Sequence, residues 1–438
     1  MSQLDGLGDW RRTHYSRDIA PGIQGTEVTV FGWVHRIRDL GNVKFVVLQD
    51  RSGKCQIVVH RDRADRGLLE RVERLRTQYV IAVRGEVRRS DSRFGAEIVP
   101  KEMKVLNVAK HPLPLDVTGA IPVELDKRLD SRVIDLRRES TQAIFRVRGV
   151  VVNAIREFLT RRGYVEVHTP KIIASATEGG AALFQIDYFG RRAFLAQSPQ
   201  LYKEQLVGSL EKVFEIGPVF RAEKSHTRHH ISEYTSIDVE EAFVTADDVM
   251  RLLKDLIVHT VDVVNRRCRR ELELLSCGPP SVEPFEVLTY DDALDELRDL
   301  GIVVEWGEDF PMPALRRLGR QHEGFYFIVD WPTMSKPFYL QPKRDNPDLC
   351  EAFDLMCGWV EIASGGTRVH QRDLLVRRIR EQGLDPRSFE FHLRAFDYGI
   401  PPHSGFGIGL ERLLMRLTGR ENIREVVLFP RDVERLVP

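Results

Sequence analysis

The sequence predicts an α+β protein in two parts, a small barrel of short strands followed by a larger unit that mixes strands with helices. Three observations carry that expectation. Residues 25–108 hold short apolar runs divided by turn residues. Residues 111–135 carry Pro112, Pro114, Gly119 and Pro122 with little periodicity. Beyond residue 139, segments of helical spacing alternate with extended ones. The 438 residues suit two or three domains, because one commonly takes ~100–200 residues. We place the boundaries at 1–110 for the barrel, 111–138 for a hinge and 139–438 for the larger unit.

In the barrel, the runs are Glu27–Ile37, Val43–Asp50, Cys55–His60, Tyr79–Arg88 and a last one from Ala96 to Val108. Leu40-Gly41-Asn42 and Asp50–Gly53 are turn signals between the early runs. A polar stretch of helical character, Arg61–Arg76, follows the third run. Five strands with a helix after the third is the layout of an oligonucleotide-binding barrel, and strand counting alone leaves other small barrels open.

In the larger unit, Val147, Val151, Ile155 and Phe158 lie on one face of a helix expected over Thr141–Arg162. Gly163 ends it, and Tyr164–Val167 restarts as a strand before Pro170. Further strands are expected at Ala193–Leu195, Val213–Ile216 and Phe325–Asp330. Further helices are expected at Ala246–Arg267, Gln371–Gln382 and Gly409–Thr418.

Formal charge sums to zero but is unevenly spread. Residues 1–110 hold 21 Lys and Arg against 14 Asp and Glu, and the remainder holds 44 against 51. A basic small domain beside an acidic larger one suits a polyanionic partner for the first, and a chance split fits the count equally. No apolar run approaches the ~20 residues of a membrane span, and nothing resembles a signal peptide. The five cysteines are scattered without a C-x-x-C pair. That argues against a zinc ribbon or disulfide framework and favours a reducing compartment, the cytoplasm.

Two segments carry chemistry. The first is Phe220-Arg221-Ala222-Glu223, a polar loop to Arg228, then Glu233-Tyr234 and Asp238-x-Glu240. An arginine fixed on a strand neutralises a phosphate through two hydrogen bonds, and a nearby carboxylate accepts an adenine amino proton. Alone, this pattern fits a surface ion pair better. The second is Gly405-Phe406-Gly407-Ile408-Gly409-Leu410-Glu411-Arg412, opening an apolar helix. Its glycines let the backbone approach a ligand. No Gly-Lys-Ser/Thr follows, so it is not a phosphate-binding loop of the Walker type, and it is not a dinucleotide fingerprint.

Together with Tyr164–Pro170 and the helix before it, these segments resemble the three motifs of the class II aminoacyl-tRNA synthetases, in family order over residues 141–438. The resemblance implies an antiparallel sheet flanked by helices, ATP bound in a bent conformation, and a homodimer formed through the first motif. An N-terminal oligonucleotide-binding barrel before this core resembles the aspartate, asparagine and lysine subgroup. Gln197–Lys203 resembles the substrate loop of its aspartate members. Only ~160 residues separate the second and third motifs, which resembles the archaeal type.

The activity implied is activation of L-aspartate with ATP and transfer to tRNA(Asp), with tRNA(Asn) open as a second acceptor. Lys203 and Arg368 would meet the β-carboxylate, Asp238 the α-ammonium group, and Gln200 and Glu178 would complete the aspartate site. Arg221 would contact the α-phosphate, Arg412 the γ-phosphate, and Tyr234 would stack on adenine. Glu223, Arg228, His229 and Gly409 would help hold ATP, while Glu361 and Ser364 would ligate Mg2+. The residues matched to catalysis are Arg221, Glu223 and Arg412. His226, His229 and His230 could suggest a metal site, but no cysteine lies near, and roles in the ATP loop fit better.

In the barrel, Phe45, Gln56 and Glu97 match positions that stack on and read anticodon bases. Phe45 alone reads almost equally as barrel core. His35 stands where relatives that charge both tRNAs carry tryptophan, and Arg93 resembles their lysine. Other departures are Ala181–Phe184, where polar residues are usual, and Thr367 where glutamine is commoner. Three rival readings are an asparagine enzyme, disfavoured by Lys203; an inert RNA-binding paralogue, disfavoured by Arg221, Glu223, Glu361 and Arg412; and a ligase for a non-tRNA acceptor, whose members usually lack the barrel.

Overall fold

The computed structural model describes residues 4–174, 183–222, 224, 227–278, 280–282 and 285–438. Glu178, Glu223 and His226 lie outside the described residues. The chain divides into two compact units, Met1–Glu139 and Ser140–Pro438.

In the first unit, β1 (Glu27–Asp39), β2 (Val43–Gln49), β3 (Lys54–His60), β4 (Val80–Arg89) and β5 (Ala96–Asn107) close into a barrel of order β1-β2-β3-β5-β4. Alternation turns Val46, Leu48, Ile57 and Ile98 into its core. Helix α1 (Arg66–Glu73) follows β3, shorter than the expected 61–76. Asp65 caps it by accepting from the Leu68 N–H. The 111–138 stretch is less irregular than its prolines suggest. It holds short helices at Leu125–Asp130 and Arg132–Asp135, and the Arg137 carbonyl accepts from Gln49 Nε2 on the barrel at 2.7 Å.

The second unit is built on helix α2 (Glu139–Arg161) and an eight-stranded sheet. The strands are β6 (Val165–Glu166), β10 (Lys212–Phe220), β11 (Glu233–Ala242), β12 (Phe285–Thr289), β13 (Phe325–Val329), β14 (Ala352–Cys357), β15 (Val360–Thr367) and β16 (His403–Gly409). Between the first two of these, β7 (Ile172–Ile173), β8 (Gln185–Tyr188) and β9 (Arg191–Leu195) form a small separate sheet. The large sheet runs β12-β13-β14-β15-β16-β11-β10-β6. Its inner pairs are antiparallel, as expected, but β6 and β12 at the two edges pair in parallel. The expected 164–167 strand is only two residues long, because Tyr164 turns into the core instead.

Helices α3 (Gln200–Leu210), α4 (Ala246–Arg267), α5 (Met312–Gln321) and α6 (Leu410–Thr418) complete the frame used below. The apolar faces of α2, α4 and α6 bury Val151, Leu256 and Leu414 against sheet residues such as Ile237 and Phe406. Among the described residues no helix is long and apolar enough to cross a membrane.

Candidate active site and nucleic-acid interface

A cavity of about 490 Å3 opens over the middle of the large sheet, where β15, β16 and β11 run side by side. Small residues make the room. Gly405 faces Glu240 across the strand pair, and a Cβ there would lie 2.2 Å from Glu240 Oε2. A Cβ on Gly365 would lie 2.4 Å from the Gly405 carbonyl oxygen. The glycine spacing noted in the sequence therefore serves close packing against a buried carboxylate.

Alternation along β11 puts Tyr234, Ser236, Asp238 and Glu240 on one face in sequence. At the Glu240 end, two cations and two carboxylates meet. Lys203 Nζ lies 3.0 Å from Asp238 Oδ1 and 3.3 Å from Glu240 Oε2. Arg368 donates from Nε and Nη2 to the two oxygens of Glu240, at 2.9 and 3.3 Å. All four side chains are buried. Burial opposes the Arg368 charge, and Glu240 more than restores it, so its pKa is raised. Ser236 Oγ donates to Asp238 Oδ2 at 2.6 Å. The sequence placed Lys203, Asp238 and Arg368 together, and they meet. It did not show that Lys203 is turned onto Asp238 and Glu240, or that Arg368, Asp238 and Gln200 line the cavity while Lys203 stands behind them.

Behind Gln200 is a residue the sequence reading missed. Gln200 Nε2 donates to Glu204 Oε1 at 2.6 Å, one turn along α3. Glu204 is fully buried, with His392 and His403 ring nitrogens 3.4 and 3.8 Å away. Burial alone would raise its pKa; the two histidines hold it below the usual carboxylate range.

Toward the Tyr234 end the cavity is lined by Arg221, Arg412, Glu361 and Ser364. The Arg221 guanidinium lies 5.7 Å from the Tyr234 ring centre. Arg412, in the first turn of α6, donates to the Glu361 carbonyl oxygen at 3.2 Å and lies 3.4 Å from its carboxylate. Burial would raise the Glu361 carboxyl, but Arg412, Lys336 and Arg221 outweigh it and hold it low. Asp354 and Lys336 were also missed. Asp354 pairs with Lys336 Nζ at 2.7 Å and stands directly across from Ser364 in the β14–β15 register. Burial pushes its carboxyl up to about 6, Lys336 pulling against the rise and Glu361 adding to it. Only the spacing of an aspartate seven residues before Glu361, in an apolar strand, could have signalled it.

Asp354, Glu361 and Ser364 offer oxygen atoms of the kind a hard divalent cation takes. Among the described residues no group of three His, Cys, Asp or Glu side chains is placed to hold a metal. These donors therefore suit an ion that takes its other ligands from water and nucleotide oxygens, as Mg2+ does.

His229 also lines the cavity, its ring edge-on to Trp359 with centres 4.5 Å apart. Burial first, then Arg412, lowers its pKa to about 4, so it is neutral near pH 7. Arg228 does not join the group. It is largely exposed, with Nη1 3.7 Å from Glu421.

On the barrel, Phe45 stays out of the core and shares the outer face with Gln56 and Glu97. Gln56 Nε2 donates to Glu97 Oε2 at 2.9 Å. His35 is the extra residue of a bulge in β1, between Val34 and Arg36. It is buried rather than presented, and its pKa falls to about 4 through burial and Lys54, with Glu139 and Asp116 among the charges around it. Arg93 is exposed in the β4–β5 turn, its guanidinium 4.9 Å from the Phe94 ring centre.

The comparisons agree with this geometry. Residues 124–433 match the family described as tRNA synthetases class II (D, K and N), and residues 28–106 match the OB-fold nucleic acid binding domain. The chain is 49% identical to the aspartate–tRNA(Asp/Asn) ligase of Methanothermobacter thermautotrophicus over 99% of this chain and 100% of that one. It is 47% identical to the aspartate–tRNA(Asp) ligase of Pyrococcus abyssi, over 98% and 100%. Its fold superposes on the asparaginyl-tRNA synthetase of Pyrococcus horikoshii complexed with asparaginyl-adenylate, with a TM-score of 0.93, 32% identity and coverage of 98% and 100%. The aspartyl-tRNA synthetase of Entamoeba histolytica gives 0.86, 30%, 98% and 93%. The chain thus belongs to the class II tRNA synthetases of the aspartate, lysine and asparagine group, aminoacyl-tRNA ligases that here carry an OB-fold domain.

Proposed function

We propose that this chain activates L-aspartate with ATP and transfers it to the 3′ end of tRNA(Asp). The observation that carries this reading is the buried Lys203–Arg368 pair beside Asp238, on the same strand face that leads to Tyr234 and the arginines. The α-ammonium group of aspartate pairs with Asp238. Its β-carboxylate takes the field of Arg368, backed by Lys203, where a neutral asparagine amide would gain less. Tyr234 stacks on adenine, with His229 beside it, while Arg228, which stands outside the cavity, has no place in this reading. Arg221 takes the α-phosphate and Arg412 the γ-phosphate.

The α-carboxylate oxygen attacks the α-phosphorus, the bond to the β-phosphate breaks, and pyrophosphate leaves. The attacking group is already an anion, so no general base is needed, and catalysis is positioning plus charge neutralisation. Glu361 and Ser364, with Asp354, would hold Mg2+, which when bound would supply charge neutralisation at the phosphate oxygens. In the second step the terminal tRNA hydroxyl attacks the aspartyl carbonyl and AMP leaves.

Phe45, Gln56 and Glu97 are the barrel surface we assign to anticodon bases. The relatives carry names with one tRNA and with two, so tRNA(Asn) is the open acceptor. The α2 helix with β6 supports a homodimer, and the scattered cysteines support a cytoplasmic location. ATP–pyrophosphate exchange with aspartate and with asparagine tests the amino acid; exchange with asparagine alone would reverse the assignment. Charging of purified tRNA(Asp) and tRNA(Asn) transcripts with radiolabelled aspartate tests the acceptor. A monomer mass by light scattering at micromolar protein rejects the dimer.

A further inference from the structure

We infer that the exposed face of α5 is a docking surface for the phosphodiester backbone of the single-stranded tRNA 3′ end as it enters the cavity. This rests on the reading that a tRNA end reaches that cavity. Arg316, Arg317 and Arg320 are exposed on this helix and, with Met312 and Pro313, line a shallow groove of about 340 Å3. Arg316 and Arg320 are one helical turn apart, so their heads project from the same stripe. Among the described residues none of the three arginines is in an ion pair. Arg298, on the helix that packs beside α5, is by contrast paired with Asp295 at 2.6 Å. Three unpaired positive charges on two turns call for a polyanion.

The helix is fixed against the cavity wall. A Cβ on Gly319 would lie 2.3 Å from the Trp359 amide nitrogen, so only glycine lets α5 press onto the 358–359 turn. Arg316 lies 5.1 Å over the Trp359 ring, which also meets His229 on the cavity wall. Leu315, the neighbouring residue, lines the cavity itself. The groove and the cavity therefore lie against the same helix, where the phosphates of an incoming strand need neutralising.

The test is the double variant R317Q/R320Q, leaving Arg316 in place. Aspartate-dependent pyrophosphate exchange is expected unchanged. The kcat/KM for tRNA charging is expected to fall about tenfold, with a log–log salt slope shallower by roughly 1.4, ~0.7 for each phosphate no longer neutralised. R317K/R320K should restore most of both, because a point charge suffices for a phosphate. Filter binding of the tRNA transcript at several KCl concentrations gives the same comparison without turnover. It stays readable even if exchange shows the amino acid to be wrong. Wild-type slope and kcat/KM in the double variant would overturn the proposal, and that is also what a face serving an acidic protein would give.

Discussion

Arg368 grips both oxygens of Glu240, Nε at 2.9 Å and Nη2 at 3.3 Å, while Lys203 Nζ lies 3.3 Å from Oε2 of the same carboxylate. The consequence is a fork held at one angle toward the cavity. Lysine keeps the charge but cannot bond both oxygens. We expect R368K to lower kcat/KM for aspartate in pyrophosphate exchange by about 100-fold or more, since charge-assisted bonds contribute ~1.5–3 kcal/mol each. G405A should act through the same carboxylate. Near-wild-type exchange in both variants would show that the fork does not define the pocket.

Lys203 is deeply involved in the fold as well as the site. K203A should abolish aspartate activation and also lower stability by about 3–5 kcal/mol, because Asp238 and Glu240 lose a buried partner. Thermal melts separate the two effects. A variant that melts normally yet does not activate aspartate would make Lys203 a pure substrate contact.

E361Q should raise the Mg2+ concentration needed for half-maximal exchange by about 10–100-fold while leaving the fold intact. Titration of exchange against Mg2+ reads this directly. Removal of the metal with EDTA should stop exchange, and unchanged titration curves would remove Glu361 from the metal site.

F45A should leave pyrophosphate exchange alone and lower tRNA charging by about 10–100-fold, the range for one base stack of ~1–3 kcal/mol. Paired assays on one preparation show it. Unchanged charging would return Phe45 to a packing role on the outer barrel face.

His35 predicts an acid-sensitive barrel. Its folded pKa of about 4 lies below the value of about 6.5 for a free histidine, so the unfolded chain binds the extra proton. The contribution is complete above pH ~6.5 and is lost as pH falls toward ~4, on the order of 2–3 kcal/mol in all. H35Q should flatten that part of the stability–pH curve measured by denaturant melts. A curve parallel to wild type would mean His35 titrates normally.

The elements with strong periodicity or glycine punctuation were legible in the sequence. The expected Ala246–Arg267 helix matches α4, and the five barrel runs all became strands. The residues flanking the glycine segment were placed because their spacing is local. Asp354 and Glu204 were not, since the partners that give each its role, Lys336 and His403, are brought in by distant chain. His35 was read as a position bearing on tRNA choice, yet it is buried. One covering charge, Asp116, comes from a segment with too little periodicity to show that it packs on the barrel, and the other, Glu139, from the start of α2.

Strand β16 lies between β15 and β11 in the large sheet, though it begins only at His403. During synthesis both half-sheets are therefore made before the strip that joins them. Until His403–Gly409 emerges, β11 and β15 each present an open hydrogen-bonding edge, the kind of surface that recruits other unfinished chains. An internal stop or a stall upstream of residue 403 leaves a product that cannot close, however well its barrel has already folded. The order of synthesis thus leaves the closing of this sheet to a strand near residue 403.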